Sequence, residues 1–430
     1  MTKKVIEVIS LGCSKNLVDS ERLMKMLDEA GFRLAKPGEK RDIVVINTCG
    51  FIGDAKEESI EEILKAVKIK EEGDIESVCV MGCLSQRYAD QLKTEIPEVD
   101  RWYGKFDWPA LVGDLSKKQY ANPVYDRKIT TGPSNAYVKI AEGCNRFCSF
   151  CAIPLITGRF KSRPIEEILE EVKSLVKRGI TEFNIIAQDL SSYGLDLYGK
   201  HSLAELIDRM AGITGVKWIR LHYAYPADFP YDILPVMARH PNVCKYLDIA
   251  LQHISDKVLS NMRRHFDGKQ TRELIARIRR EVPGIHLRTT LMVGFPGEGD
   301  KEFDELMDFV RETRFERMGA FAYCEEEDTY GAKHFKDSIP QEVKQERLDK
   351  LMELQEQISL EIQESKVGQV MTVVIDREED DYYIGRTEFD SPEVDPEVLV
   401  EKNMRLSPGQ YVKVKITGAM PFELTAQKID

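Results

Sequence analysis

The chain has 430 residues, 42% of them hydrophobic and 31% charged, the composition of an ordinary globular protein long enough for about three domains. Its formal net charge of −12 disfavours a protein that grips nucleic acid without regard to sequence, because displacing phosphate counterions takes lysine and arginine. No stretch approaches the roughly 20 apolar residues of a membrane span, and the opening MTKKVIEVISLGCSKN has no signal-peptide pattern, which points to a reducing, cytoplasmic setting.

The first segment, residues 1–125, alternates strand and helix signals. Short β-branched runs at Val5–Leu11, Ile43–Ile46 and Val78–Met81 predict buried strands, with helices at Ser20–Ala30, Ala55–Glu72 and Leu84–Ile96. That order predicts an α/β doubly wound parallel sheet. A polar stretch after Leu115, punctuated by Pro123 and by Gly132-Pro133, marks its boundary.

The second segment, 130–365, repeats a strand–helix unit. Strands are predicted at Tyr137–Ala141, Glu182–Ala187, Lys217–His222, Tyr246–Leu251, His286–Val293 and Arg317–Tyr323. Six units fall short of the eight of a closed barrel, so the expectation is an open, TIM-like (β/α)6 partial barrel with its ligands at the strands' C-terminal ends. A charged helix, Gln341–Lys366, follows and is expected to pack between domains. From 366 to 430 the runs are short and alternating, as in YVKVKITG, and predict a small five-stranded all-β barrel of the OB type.

Nine cysteines in a reducing compartment suggest metal or redox chemistry more than disulfides. Cys144, Cys148 and Cys151 form a C-x₃-C-x₂-C loop in AEGCNRFCSFCAIP, directly after the first strand of the partial barrel. Thiolates suit iron–sulfur clusters, which most often take four. Three would leave one iron of a [4Fe-4S] cube open, a place for the amino and carboxylate groups of S-adenosylmethionine (SAM). A zinc site with a distant fourth ligand and incidental thiols are the alternatives. Phe150 is a candidate to pack against the adenine of SAM, or simply within the loop.

Cys13, Cys49 and Cys83 each end a predicted strand, in VISLGC, VVINTC and VCVMGC. A parallel sheet brings such ends to one edge, so a second three-cysteine cluster is inferred beside the reading of them as buried free thiols. Cys79, Cys244 and Cys324 lack such company and are expected to be core thiols. His253, Asp189 and the turn GFPGE (Gly294–Glu298) also fall at strand ends, where they could touch ligand or serve as ordinary hydrogen-bonded residues.

Together, Cys13/Cys49/Cys83, the motif EGCNRFCSFC and the C-terminal barrel resemble the radical SAM methylthiotransferases over essentially the whole chain. The resemblance implies a TRAM domain at the C-terminus, two [4Fe-4S] clusters and two uses of SAM, with a methylthio group placed at an unreactive C–H bond. SLGCSKNLVDSE (Ser10–Glu21) and RLHYAYP (Arg220–Pro226) are similar to the branch that modifies an aspartate β-carbon of ribosomal protein S-twelve. The other branch modifies an adenosine of transfer RNA, and nucleic acid would be a partner only in that case. The resemblance also implies an external electron donor and no membrane. From Asp376 to Glu401, 11 acidic residues face only Arg377 and Arg386. Such a stretch is expected either to dock a basic ribosomal protein or to be a solvated acidic loop.

Overall fold

The computed structural model describes residues 3–117 and 126–429; Pro123, part of the expected boundary, lies outside them. The chain divides into two compact units. One comprises Met1–Thr130, Glu142–Asn145 and Cys151–Phe160, and the other Thr131–Ala141, Arg146–Phe150 and Lys161–Asp430.

The first unit is built on a five-stranded parallel sheet. Its three long strands are Val5–Ser10, Ile43–Thr48 and Ser77–Gly82, flanked at the edges by the two-residue strands Arg33–Leu34 and Arg101–Trp102. The order, edge strand 33–34, then 5–10, 43–48, 77–82 and 101–102, is doubly wound. Alternation along the strands sorts the core onto two faces. Val45, Cys79 and Met81 pack with Leu23, Leu27, Trp108 and Leu111. Val44, Ile46, Val78 and Val80 pack with Ile63, Val67, Leu84 and Leu92.

The first helix runs from Ser14 to Ala30, six residues longer at its start than the apolar periodicity predicts. Its first turns bury Asn16, Asp19, Ser20 and Glu21 where an amphipathic helix would bury leucines, so the periodic signal begins late.

In the second unit, six parallel strands stand in simple sequential order: Asn135–Lys139, Glu182–Ile186, Trp218–Ala224, Val243–Ile249, His286–Val293 and Arg317–Ala322. The sheet does not close on itself, as expected of a partial barrel. The helix Gln341–Glu364 buries Lys344, Arg347, Leu351, Gln355, Ile358 and Ser359 along one side, a largely polar stripe. Lys344 donates to the Tyr323 carbonyl at 3.0 Å, Gln355 to that of Phe315 at 3.0 Å and Ser359 to that of Pro421 at 2.5 Å. The helix therefore ties the half-barrel to the C-terminal barrel, as its position in the sequence predicts.

Five strands, Val370–Glu378, Tyr382–Thr387, Glu397–Glu401, Tyr411–Met420 and Glu423–Lys428, close into that barrel around Val373, Ile375, Val398, Val400, Val414, Ile416 and Leu424. It covers the N-terminal ends of the half-barrel strands. Trp218 stands edge-on to Tyr411 at 4.9 Å between centroids, and His286 stacks on Phe389 at 4.1 Å.

Here much of the acidic stretch is taken up by ion pairs, which neither expectation included. Asp376 pairs with Arg386, Asp390 with Arg317, and Asp395 with Arg288 and the Tyr246 hydroxyl. Glu397 and Glu379 pair with Arg377, and Glu378 with Lys402. Cations take up much of the run, leaving Asp380, Asp381 and Glu393 exposed and, among the described residues, outside these ion pairs. Cys79 and Cys244 are core thiols, but Cys324 is exposed, because its strand ends at Ala322 and the chain has already turned into a loop.

Candidate functional site

Cys13, Cys49 and Cys83 follow the C-terminal ends of the three long strands of the first unit. Gly12 has φ +84°, and a Cβ there would lie 2.7 Å from Cys49 Cβ and 2.8 Å from its Sγ. Gly50, which follows Cys49, has its Cα face against the backbone of Cys83 and Leu84, within 2.9 Å of where a Cβ would sit. Glycine at these positions is what lets the three strand ends approach. Among the described residues no group of His, Cys, Asp and Glu is arranged around a single ion. Three thiols on neighbouring strand ends are a donor set of the kind an iron–sulfur cluster takes.

Asn16 stitches the edge together. Its amide nitrogen donates to the carbonyls of Leu11 (3.1 Å) and Thr48 (3.0 Å), and its Oδ1 accepts from Cys83 Sγ at 3.4 Å. One side chain thereby touches all three strand ends. Asn47 donates to the Asn16 carbonyl at 3.0 Å and to Ser20 Oγ at 2.9 Å. Ser59 Oγ accepts from the Cys49 backbone N–H at 3.0 Å. Beneath this edge Lys105, 2% exposed, donates to Asn16 Oδ1 and to Asp19 Oδ2, each at 2.9 Å. Burial opposes its charge, yet Asp19, Cys83, Glu142 and Cys13 together hold its pKa well above the usual lysine value.

The thiols differ. Crowding raises the pKa of Cys13, but Lys15, Lys105 and the backbone N–H groups of Asn16 and Lys15 more than offset it, so the net shift is downward. Cys13 is also the N-cap of the helix Ser14–Ala30, where peptide dipoles favour a thiolate. Burial pushes Cys49 up and Cys83 up to about 11, and in both the charge of Cys13 contributes.

The second cysteine set lies on a single eight-residue loop, Cys144 to Cys151. Within the first unit, the Cys144 N–H donates to the Gly158 carbonyl at 3.2 Å, and Gly143, at φ +80°, leaves no room for a Cβ against the Arg159 carbonyl. Within the second unit, Phe147 takes a left-handed φ of +50°. Arg264 Nη1 donates to Cys148 Sγ at 3.2 Å, a cationic partner suited to a thiolate. Ser149 is held on three sides: its N–H by Met262, its hydroxyl by Asn261, and its carbonyl by the Gly331 N–H. Phe150 meets Phe295 edge-on at 6.2 Å and is only partly buried.

Arg146 donates to Asp189 (2.7 Å), Asp228 (3.2 Å) and Ser192 (3.2 Å). Its guanidinium and that of Arg264 lie 4.3 and 4.2 Å from the Tyr225 ring centroid. Asp189 is thus engaged by Arg146 and caps Ser191 and Ser192. His253 is fully buried, accepting from the Ser255 N–H at 3.0 Å and facing Glu298 at 3.2 Å. Because its Nδ1 accepts, its Nε2 carries the proton toward Glu298. Glu298 also accepts from the Gly294 N–H and Arg347, so the GFPGE turn is clamped by its own glutamate. His253 and Asp189 hold the loops; the residues missed in the sequence are Asn16, Asp19, Lys105 and Arg264. The stretch SKNLVDSE, polar except for Leu17 and Val18, held the signal for the first two.

Family models match three stretches of the chain: residues 5–104 as the uncharacterized protein family UPF0004, 138–310 as the radical SAM superfamily and 367–429 as a TRAM domain. Among curated proteins, the chain is 57% identical over 426 residues to ribosomal protein uS12 methylthiotransferase RimO of Parabacteroides distasonis, covering 99% of each. It is 58% identical to the protein of the same name from Bacteroides thetaiotaomicron, covering 99% of each. Among solved structures, the radical S-adenosylmethionine methyltransferase TsrM of Kitasatospora setae matches with a TM-score of 0.55 and 16% identity over 75% of each chain, a likeness of fold. On full-length identity of this order, the chain belongs to the ribosomal protein uS12 methylthiotransferase family of radical SAM enzymes.

Proposed function

We propose that this chain methylthiolates an aspartate β-carbon of ribosomal protein uS12, using SAM, two [4Fe-4S] clusters and an external electron donor. The observation that carries the reading is the convergence of the three cysteine-bearing strand ends on Asn16, together with a separate loop carrying three more cysteines. Relatives at 57–58% identity bear the corresponding name.

Cys144, Cys148 and Cys151 are proposed to hold one cluster and Cys13, Cys49 and Cys83 the other, in segments 130–365 and 1–125, with 366–430 as the TRAM domain. When bound, three-cysteine clusters supply an iron open to SAM for radical generation and an iron open to a sulfur donor. Arg264 compensates the Cys148 thiolate, and Ser149 fixes the loop between the second and third cysteines. Phe150, half-buried and edge-on to Phe295, is proposed to pack against the adenine of SAM. Among the described residues no helix is long and apolar enough to cross a membrane, and a cytoplasmic site of action fits free thiols and a ribosomal substrate.

The test is anaerobic incubation of the reduced, reconstituted protein with SAM and either purified uS12 or transfer RNA, followed by mass spectrometry. One methylthio group gained on a uS12 aspartate is the expected outcome. Gain on transfer RNA alone would overturn the proposal.

A further inference from the structure

A lysine sealed inside a protein is rare unless paired, and Lys105 sits where the three strand-end thiols meet without itself being a candidate ligand. We propose that Lys105 is a positioning residue and fixed counter-charge of the auxiliary iron–sulfur site: it sets the reduction potential there and holds Cys83 in place through Asn16. The inference rests on the reading of Cys13, Cys49 and Cys83 as ligands.

Two observations carry it. Lys105 Nζ and Cys83 Sγ share one acceptor, Asn16 Oδ1, at 2.9 and 3.4 Å, so a single amide couples the ammonium to the thiol. That amide also grips the ends of the strands bearing Cys13 and Cys49, and moving the lysine would loosen all three. The second is charge. Buried ion pairs tend to be replaceable by apolar packing unless other charges are present. Here Asp19 balances Lys105, and Glu142 and the thiols add further negative charge nearby. The ammonium meets Asn16 Oδ1, the same atom that Cys83 Sγ meets, so the positive end of the pair faces the ligand edge.

A cluster bound by three thiolates gains negative charge on reduction, and net charge around a cluster is among the quantities that set its potential. A buried, permanently protonated amine favours the reduced form. A lysine present only for packing would leave the potential unchanged.

The experiment uses the full chain with C144A/C148A/C151A, anaerobically reconstituted so that only the auxiliary site titrates, with iron analysis and a potentiometric titration followed by electron paramagnetic resonance. Against that parent, Lys105→Met is expected to lower the reduced-to-oxidised ratio at fixed potential about tenfold, or about 59 mV for one electron. Lys105→Arg, which keeps the charge, restores most of the shift, and Asp19→Asn moves the potential the other way. Full iron content with an unshifted potential in Lys105→Met overturns the proposal. Where Lys105→Met does not fold, an unshifted potential in Asp19→Asn overturns it. A parent without iron overturns the assignment of the ligands instead.

Discussion

Glu182 accepts 2.9 Å hydrogen bonds from both terminal nitrogens of Arg386, 204 positions further along the chain. The carboxylate opens the second strand of the half-barrel, and the guanidinium belongs to the C-terminal barrel. Arg220 adds a further bond to the same carboxylate and reaches the carbonyls of Thr387 and Glu388. Arg386 in turn pairs with Asp376. The interface is a closed network of buried charges, in which each ion has a fork or carboxylate shaped to meet it.

Removing one partner from such a network leaves the others buried and uncompensated. Arg386→Met is expected to lower the unfolding free energy by about 3–5 kcal/mol, since Asp376 and one edge of Glu182 lose their cation. Arg386→Lys, which keeps the charge without the fork, should cost less. Chemical denaturation of the three proteins checks the order.

Acid should open the same interface. Despite burial, Arg386 and Arg220 hold Glu182 at about 2, and despite burial Arg317 and Lys366 hold Asp390 at about 2. Both folded values lie below the ordinary carboxylate values of 4.5 and 3.8. The stabilisation is therefore complete above those ordinary values and is lost as pH falls from about 4.5 toward 2. Trp218, edge-on to Tyr411, reports on this seam. In a W102F/W108F background its fluorescence should change through that window, and with Arg386→Met added the change should come at higher pH if the network is what holds the seam.

Lys366 behaves in the opposite sense. Burial, and then Arg317, bring its pKa down from 10.5 to about 8. Below pH 8 the lysine is charged folded and unfolded, and the folded state bears the full penalty. Between 8 and 10.5 the unfolded chain binds more protons, so stability rises with pH. Lys366→Met is expected to stabilise the protein at pH 7 by up to about 3 kcal/mol, an advantage that disappears above pH 10.5. Melting temperatures of both proteins from pH 7 to 10.5 test it.

Gly12→Ala should empty the auxiliary site selectively. The new methyl would overlap the Cys49 side chain, and φ +84° strains any residue with a Cβ. The expected result of anaerobic iron analysis is loss of about four of roughly eight irons, with the loop Cys144–Cys151 still loaded. The two triple-alanine variants, one for each cysteine set, provide the reference values.

Much of this architecture was written locally. Short β-branched runs at Ile43–Ile46 and Val78–Met81 identified buried parallel strands, and cysteine at three strand ends marked one sheet edge as a candidate site. What local pattern does not carry is pairing across distance. Lys105 and Asp19 are 86 residues apart, and neither stands out in its own window. RLHYAYP was legible as a family signature, but Arg220 lies near the start of its strand, not its end, and serves the barrel beneath. The acidic run was misread for the same reason: Arg288 and Arg317, which meet Asp395 and Asp390, lie about 100 and 70 residues earlier.

The cysteines at 13, 49 and 83 lie on separate strands that become neighbours only when the sheet is in register. An extended chain emerging from the ribosome offers no three-thiol cradle there, whereas the loop at 144–151 carries its three within one short peptide. On the proposed ligand assignment, iron delivery to the two places would obey different clocks: the loop could capture metal early, and the sheet edge only after the first unit has matured. Until then the exposed Cys13 would stand open to oxidants, and loading speed would set how much of that site survives in air.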